Sequence, residues 1–146
     1  MANRIERSAL VMFSAEQMFD LVSDFESYPQ FLNGCVGAEL LAKEDTWLEA
    51  RLHLQKAGIR QSFVTHNTWD KPQRMHLRLV EGPFKSMEGE WHFQPLSAGA
   101  CKVSFWIEFE FSNKLVALAV GKLFEHVASD QVNALCSRAK QVYSST

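Results

Sequence analysis

Three polar side chains fall where an apolar interior is expected. In the run from Ile59 to Trp69, the residues Gln61, Thr65 and Asn67 share parity with Ile59, Phe63 and Trp69. A half-buried strand sends alternate side chains to one face, so these polar groups share their side with the rings. Buried polar groups need partners. Water near the strand ends is one source, and a ligand is the other. An apolar space walled by Phe and Leu with a few hydrogen-bonding groups suits a ring that carries two carbonyl acceptors. The sequence leaves both sources open, and Thr65 decides least because Thr is at home in any strand.

The outward parity carries a second constellation. If Ala57-Gly58 is a two-residue turn, Glu49 falls opposite His66. If the Lys71-Pro72 turn keeps the apolar faces together, His66 falls opposite His76, and the next strand brings Glu88 or Glu90 beside it. Neighbours in the row Glu49, His66, His76 and Glu90 are then about 5 Å apart. Two imidazoles between two carboxylates fit a surface zinc ion or a group that titrates near neutral pH. An open row without supporting partners is more simply a solvated ladder, so no metal is assigned. No nucleophile elbow, phosphate loop or HExxH motif occurs. Glu108 and Glu110 share the outward face and are expected to be solvated. No catalytic residue is assigned, and the expectation is a binding protein rather than an enzyme.

The elements that must position these groups follow from periodicity. The chain has 146 residues, 47% of them hydrophobic, which suits one domain spanning 1–146 with a real core. Eleven Phe and four Trp stand against two Tyr, a bias toward rings without a polar handle and hence toward a large apolar interior or lined cavity. Arg4 to Met12 forms a first strand. Ser14 caps a helix, with Gln17 completing a capping box, and the helix ends near Asp24. Tyr28-Pro29 breaks it, and a short helical turn holding Phe31 and Leu32 follows. Val36 to Lys43 is a weaker strand. Period-two runs then follow: Leu48 to Leu54, Ile59 to Trp69, Met75 to Leu79, Met87 to Phe93 and Cys101 to Phe111.

From Asn113 to Tyr143 the period becomes helical, with Val116, Val120, Leu123, Phe124, Val127, Ala134 and Val142 on one stripe. The order β-α-α-β6-α implies an α+β helix-grip fold, an antiparallel sheet curled around one long final helix. A ligand space between them is expected to be lined by Leu52, Phe63, Leu77, Trp91, Phe105, Val120 and Phe124, with Gln61, Thr65 and Asn67 as polar anchors. The front of the helix, Leu115 to Val120, is apolar all round. Packing against the short helices around Phe31, with Gly121 allowing close approach, is the expected reason. A greasy portal that touches membrane as a lipid enters is the alternative.

Charge excludes little more. The formal charge is −2, and Arg51, Arg60, Arg74, Arg78, Lys85 and Lys102 are scattered among carboxylates, so DNA is not an expected partner. Cys35, Cys101 and Cys136 lack zinc spacing and suit reduced thiols in a cytoplasmic protein. Met1 to Phe13 has no apolar h-region, and no apolar run approaches the roughly 20 residues of a membrane span.

Several stretches together resemble the START-like (Bet v 1-like) coenzyme Q-binding family. They are Ser14-Ala15-Glu16-Gln17-Met18, Ser27-Tyr28-Pro29-Gln30-Phe31-Leu32 with Cys35, Val80-Glu81-Gly82-Pro83-Phe84-Lys85, and Phe109-Glu110-Phe111-Ser112-Asn113-Lys114-Leu115. Within it they are most similar to its ribosome association toxins, also described as oligoketide cyclase/lipid transport proteins. The likeness covers nearly the whole chain and departs at Asn33, where the pattern has Pro. It implies a bound polyprenyl quinone such as ubiquinone, in support of respiration and at the periphery of the inner membrane, with no required cofactor. It also implies binding to the large ribosomal subunit that blocks subunit joining. Translation inhibition as the primary role and a polyketide cyclase or aromatase activity are the alternatives.

Overall fold

The structure, a computed structural model, describes residues 3–143. Met1, Ala2 and residues 144–146, which the one-domain reading includes, lie outside the described residues. The order is β1 (Asn3–Val11), α1 (Ala15–Ser23), a 3₁₀ segment (Phe25–Gln30), β2 (Cys35–Lys43), β3 (Trp47–Lys56), β4 (Ile59–Asp70), β5 (Arg74–Glu81), β6 (Phe84–Ser97), β7 (Ala100–Phe111) and α2 (Lys114–Tyr143). The seven strands form one antiparallel sheet in the order β1-β7-β6-β5-β4-β3-β2. This is the helix-grip architecture.

The alternation in sequence becomes alternation in burial. Leu48, Ala50, Leu52 and Leu54 of β3 and Cys101, Val103, Phe105, Ile107 and Phe109 of β7 are buried, joined by Val120, Leu123, Phe124 and Val127 of α2. Gly89 sits where neighbouring strands leave no room for a side chain. A Cβ there would stand 2.8 Å from the Trp106 carbonyl oxygen and 3.3 Å from Leu77 Cδ1, so a side chain would force the strands apart. At the start of α1, Gln17 N–H donates to Ser14 Oγ at 3.1 Å and Ser14 N–H donates to Gln17 Oε1 at 2.8 Å, the expected capping box.

Three expectations need correction. First, the short helical turn precedes Phe31 and Leu32, running Phe25–Gln30 with Pro29 inside it. Proline's fixed φ suits a helical turn, and the turn is anchored by Ser27 Oγ donating to Asp24 Oδ2 at 2.6 Å.

Second, the outward row does not form. Asp70 pairs with Arg74, leaving three residues in the loop, so His66 lies opposite Arg78 and His76 opposite Thr68. Two separate pairs result. His66 Nδ1 meets Glu49 Oε2 at 2.8 Å while its ring stacks on Trp47, and His76 Nε2 lies 3.3 Å from Glu88 Oε2 with Glu90 opposite in the register. Among the described residues no three His, Cys, Asp or Glu side chains gather as metal ligands.

Third, the front of α2 does not pack against Phe31. Leu115 and Leu118 are 78% and 83% exposed, and a Cβ on Gly121 would meet only the Phe111 ring, at an ordinary 3.7 Å. Helix rise explains it. At 1.5 Å per residue, the region of Phe31 is reached three to four turns later, from Asp130 and Ala134 on, and beyond them Arg138 donates to Gln30 Oε1 at 2.9 Å and lies over the Phe31 ring.

Candidate functional site

The concave face of the sheet and the inner face of α2 enclose an apolar cavity. Leu52, Phe63, Thr65, Asn67, Leu77, Trp91, Phe105 and Phe124 line it, together with Phe25, Tyr28, Met87, Ile107 and Gln131. Its volume is about 30 Å³, room for about two waters and too little for a quinone ring in this conformation. Gln61 and Val120 are set apart from the other expected residues. They line a neighbouring void of about 10 Å³ with Leu54, Pro83, Phe84 and Leu123. Phe63 and Phe124 border both spaces, their rings edge to face with centroids 5.8 Å apart. These two rings are the partition. The Gln61 amide donates to the Ser62 carbonyl at 3.2 Å, so its polarity is met locally.

Thr65 and Asn67 are the buried polar pair of the core, 5% and 0% exposed. The Thr65 hydroxyl donates to Asn67 Oδ1 at 2.7 Å, which aims the amide nitrogen the other way. Among the described residues that nitrogen meets only the Met75 sulfur, at 3.7 Å. A thioether is a weak acceptor and an amide nitrogen has two N–H groups, so Asn67 keeps donor capacity at the wall of an apolar space. Trp91 is 3% exposed and packs on Phe105 with centroids 4.5 Å apart, presenting broad aromatic surface beside that donor.

The five lining residues that the sequence reading missed had readable positions in part. Met87 and Ile107 share parity with Trp91 and Phe105, and Gln131 continues the inner stripe of α2 one full heptad beyond Phe124. Phe25 and Tyr28 come from the 3₁₀ segment, which carries no period. Burial raises the Tyr28 phenol far above its ordinary range, and its hydroxyl donates to the Val22 carbonyl. It is therefore a neutral wall group, already committed as a donor.

A polar chain that the sequence reading also missed lies on the outer face. His53 joins Ser62 Oγ, at 2.6 Å from Nδ1, to Glu39 Oε1, at 3.0 Å from Nε2. The His53 contact holds the Glu39 carboxyl below its usual range. Both flanking strands turn these side chains away from the cavity, and Glu39 is exposed.

The comparisons with known proteins agree with this architecture. The chain is 47% identical, over 97% of its length and 89% of the relative's, to the ribosome association toxin RatA of Escherichia coli K12. It is 26% identical over 97% of its length to the mitochondrial coenzyme Q-binding protein COQ10 homolog B of Xenopus laevis, of which it spans 61%. Among solved structures, the Zhui aromatase/cyclase of Streptomyces sp. R1128 superposes with a TM-score of 0.81 over 99% of both chains at 18% identity, a likeness of fold alone. The model of the polyketide cyclase/dehydrase and lipid transport family matches residues 11–136, and with the helix-grip sheet and its enclosed cavity the chain belongs to that family.

Proposed function

We propose that this protein is a non-enzymatic carrier of a hydrophobic ring compound, a polyprenyl quinone of the ubiquinone type, held between the concave sheet and α2. The observation that carries the reading is Asn67, fully buried with a donor spent only on a thioether. A buried amide nitrogen that has only a weak thioether acceptor is poorly satisfied, and a ligand carbonyl would be a better partner. The quinone head meets Asn67, Trp91 and Phe105. Its tail takes the direction of Phe63, Phe124 and the second void. Since the cavity holds only about 30 Å³, binding on this reading needs it to widen, and the Phe63–Phe124 partition toward the second void is where we place that widening. The relationship to a protein named for coenzyme Q binding supports this ligand class.

A cyclase reading has less support, because the lining contains no carboxylate, imidazole or amine among the described residues, and Tyr28 is held neutral. Such a reaction needs a positioned acid or base.

The test is a titration of the purified protein with short-tailed and long-tailed quinones, followed by tryptophan quenching. Trp91 lines the cavity, so saturable quenching is expected. Its absence, with no quinone in organic extracts of the purified protein, overturns the reading.

The 47% identity to a ribosome association toxin supports a second role at the large ribosomal subunit. In that case the protein sediments with the large subunit at low salt and reduces the joined particle. Sedimentation with neither subunit rejects it. Salt must be low because the scattered surface cations give only screened attraction.

A further inference from the structure

We propose that the first turns of α2 are a docking surface for an anionic bilayer, from which the ligand is loaded; this rests on the carrier reading above. Leu115 and Leu118 are 78% and 83% exposed, among the most exposed large hydrophobic side chains described. On a helix, Lys114, Leu115, Leu118 and Lys122 fall within an arc of about 100°, so two leucines and two cations share one face. Neither lysine has an ion-pair partner among the described residues. From Lys114 to Phe124 the helix carries no carboxylate, the first being the exposed Glu125 on the same face just beyond Lys122, and the positive N-terminal end adds to the sign of the lysines.

Long cationic side chains beside exposed leucines suit a bilayer surface. The apolar groups enter the acyl boundary while the ammonium groups stay among anionic headgroups. A solvated helix face has no need of the leucines, and a core helix would bury them. Among the described residues no helix is long and apolar enough to cross a membrane, so the contact proposed is with the surface.

The opposite side of the same turns faces the interior. Val120 and Leu123 line the smaller void with Pro83 and Phe84. Docking through Leu115 and Leu118 therefore grips the one stretch of α2 whose inner face closes the void next to Phe63 and Phe124. A membrane contact and an opening of the partition act on the same two turns.

The experiment is flotation of the intact protein with phosphatidylcholine vesicles, with and without phosphatidylglycerol, at low and raised salt. The wild type is expected to float with the anionic vesicles and to release as salt rises. Leu115→Ser and Leu118→Ser are each expected to weaken association roughly tenfold, and Lys114→Gln and Lys122→Gln roughly fivefold each. All four variants are expected to fold as wild type and to quench as wild type with a short-tailed quinone supplied in detergent micelles, since none of these side chains lines the cavity. Failure of the wild type to float, equal flotation by the leucine variants, or no preference for phosphatidylglycerol overturns the proposal. Self-association through Leu115 and Leu118 without flotation, seen by sedimentation velocity, also overturns it. Flotation without any quinone quenching leaves the surface standing and rejects the carrier reading instead.

Discussion

Replacing the Thr65–Asn67 pair separates a ligand site from a structural hydrogen bond. In the single variant Asn67→Leu, the Thr65 hydroxyl loses the acceptor 2.7 Å away. An orphaned buried hydroxyl costs about 1–3 kcal/mol, and the lost bond itself about 0.5–1.5. Against this, removing the amide recovers about 1–3 kcal/mol of desolvation, because its nitrogen had only the Met75 sulfur. The net expectation is a loss of about 1 kcal/mol from these terms. In the double variant Thr65→Val/Asn67→Leu both groups become apolar at similar shape, which is close to neutral or stabilising. The double variant should therefore be more stable than the single one by about 1–3 kcal/mol, the cost of the orphaned hydroxyl. Urea unfolding of the wild type, the single variants Asn67→Leu and Thr65→Val, and the double variant reads this directly. Quinone affinity should follow another pattern. Both variants lacking Asn67 should bind about 2- to 12-fold more weakly, the loss of one hydrogen bond. If the double variant is the least stable of the four by more than about 3 kcal/mol, or if it binds quinone as tightly as wild type, Asn67 is a structural residue and the argument for the site fails.

Phe124→Ala should cost about 3–5 kcal/mol, as a buried Phe truncation does, because this ring touches Phe63, Phe84 and Phe109. It should also merge the two voids, so the rise in melting temperature with a short-tailed quinone should exceed that of wild type; an equal rise would mean these rings are not the barrier. Gly34→Ala combines a backbone at φ +97° with a Cβ 2.8 Å from Val127 Cγ2, and should cost about 2–4 kcal/mol. Gly58→Ala, at φ +82° with nothing within 4 Å, should cost only about 1 kcal/mol; equal urea midpoints would refute the clash. Because burial keeps the Tyr28 phenol protonated in the native state, its contribution is intact below pH ~10, where the unfolded phenol ionises. Above that the unfolded chain releases a proton that the native chain keeps, so stability should fall by up to about 1.4 kcal/mol per pH unit. Tyr28→Phe should flatten that part of the profile while losing about 0.5–1.5 kcal/mol at neutral pH, through its bond to the Val22 carbonyl. An unchanged alkaline slope would show that Tyr28 is not its source.

Parity was legible wherever a strand buries one face, which is why the runs from Leu48 and Cys101 map onto the core without a shift. The Ala57-Gly58 turn was legible for a related reason. Both residues take positive φ, 53° and 82°, as a two-residue hairpin turn requires, so Glu49 meets His66 as expected. The next hairpin was not legible. Loops of two, three and four residues all accept Lys71-Pro72, and the three-residue loop between Asp70 and Arg74 moves His76 two residues along, from His66 to Thr68, dispersing the outward row. The 3₁₀ segment was missed because its short run carries no periodic pattern, and with it went Phe25 and Tyr28 as cavity walls. Cavity size was also out of reach. Parity says which rings face inward but not how closely they interlock.

That interlocking changes what the phenylalanine excess means. Phe63, Phe84, Phe109, Phe111 and Phe124 pack on one another, mostly edge to face, at centroid distances of 4.7 to 6.4 Å. They fill the end of the grip nearest the start of α2 rather than line an empty tunnel. Such ring pairs contribute about 0.5–1.5 kcal/mol each beyond area burial, so a closed core is the expected ground state without ligand. A ligand entering from this end replaces ring contacts with contacts of its own, and its tail regains roughly 25 cal/mol per Å² of apolar surface buried. A ring at the deeper end meets Asn67, whose donor the closed core leaves poorly used. On the proposed carrier reading the two ends would act differently: the Phe cluster would set the barrier to entry, and the buried amide would set which head group is retained.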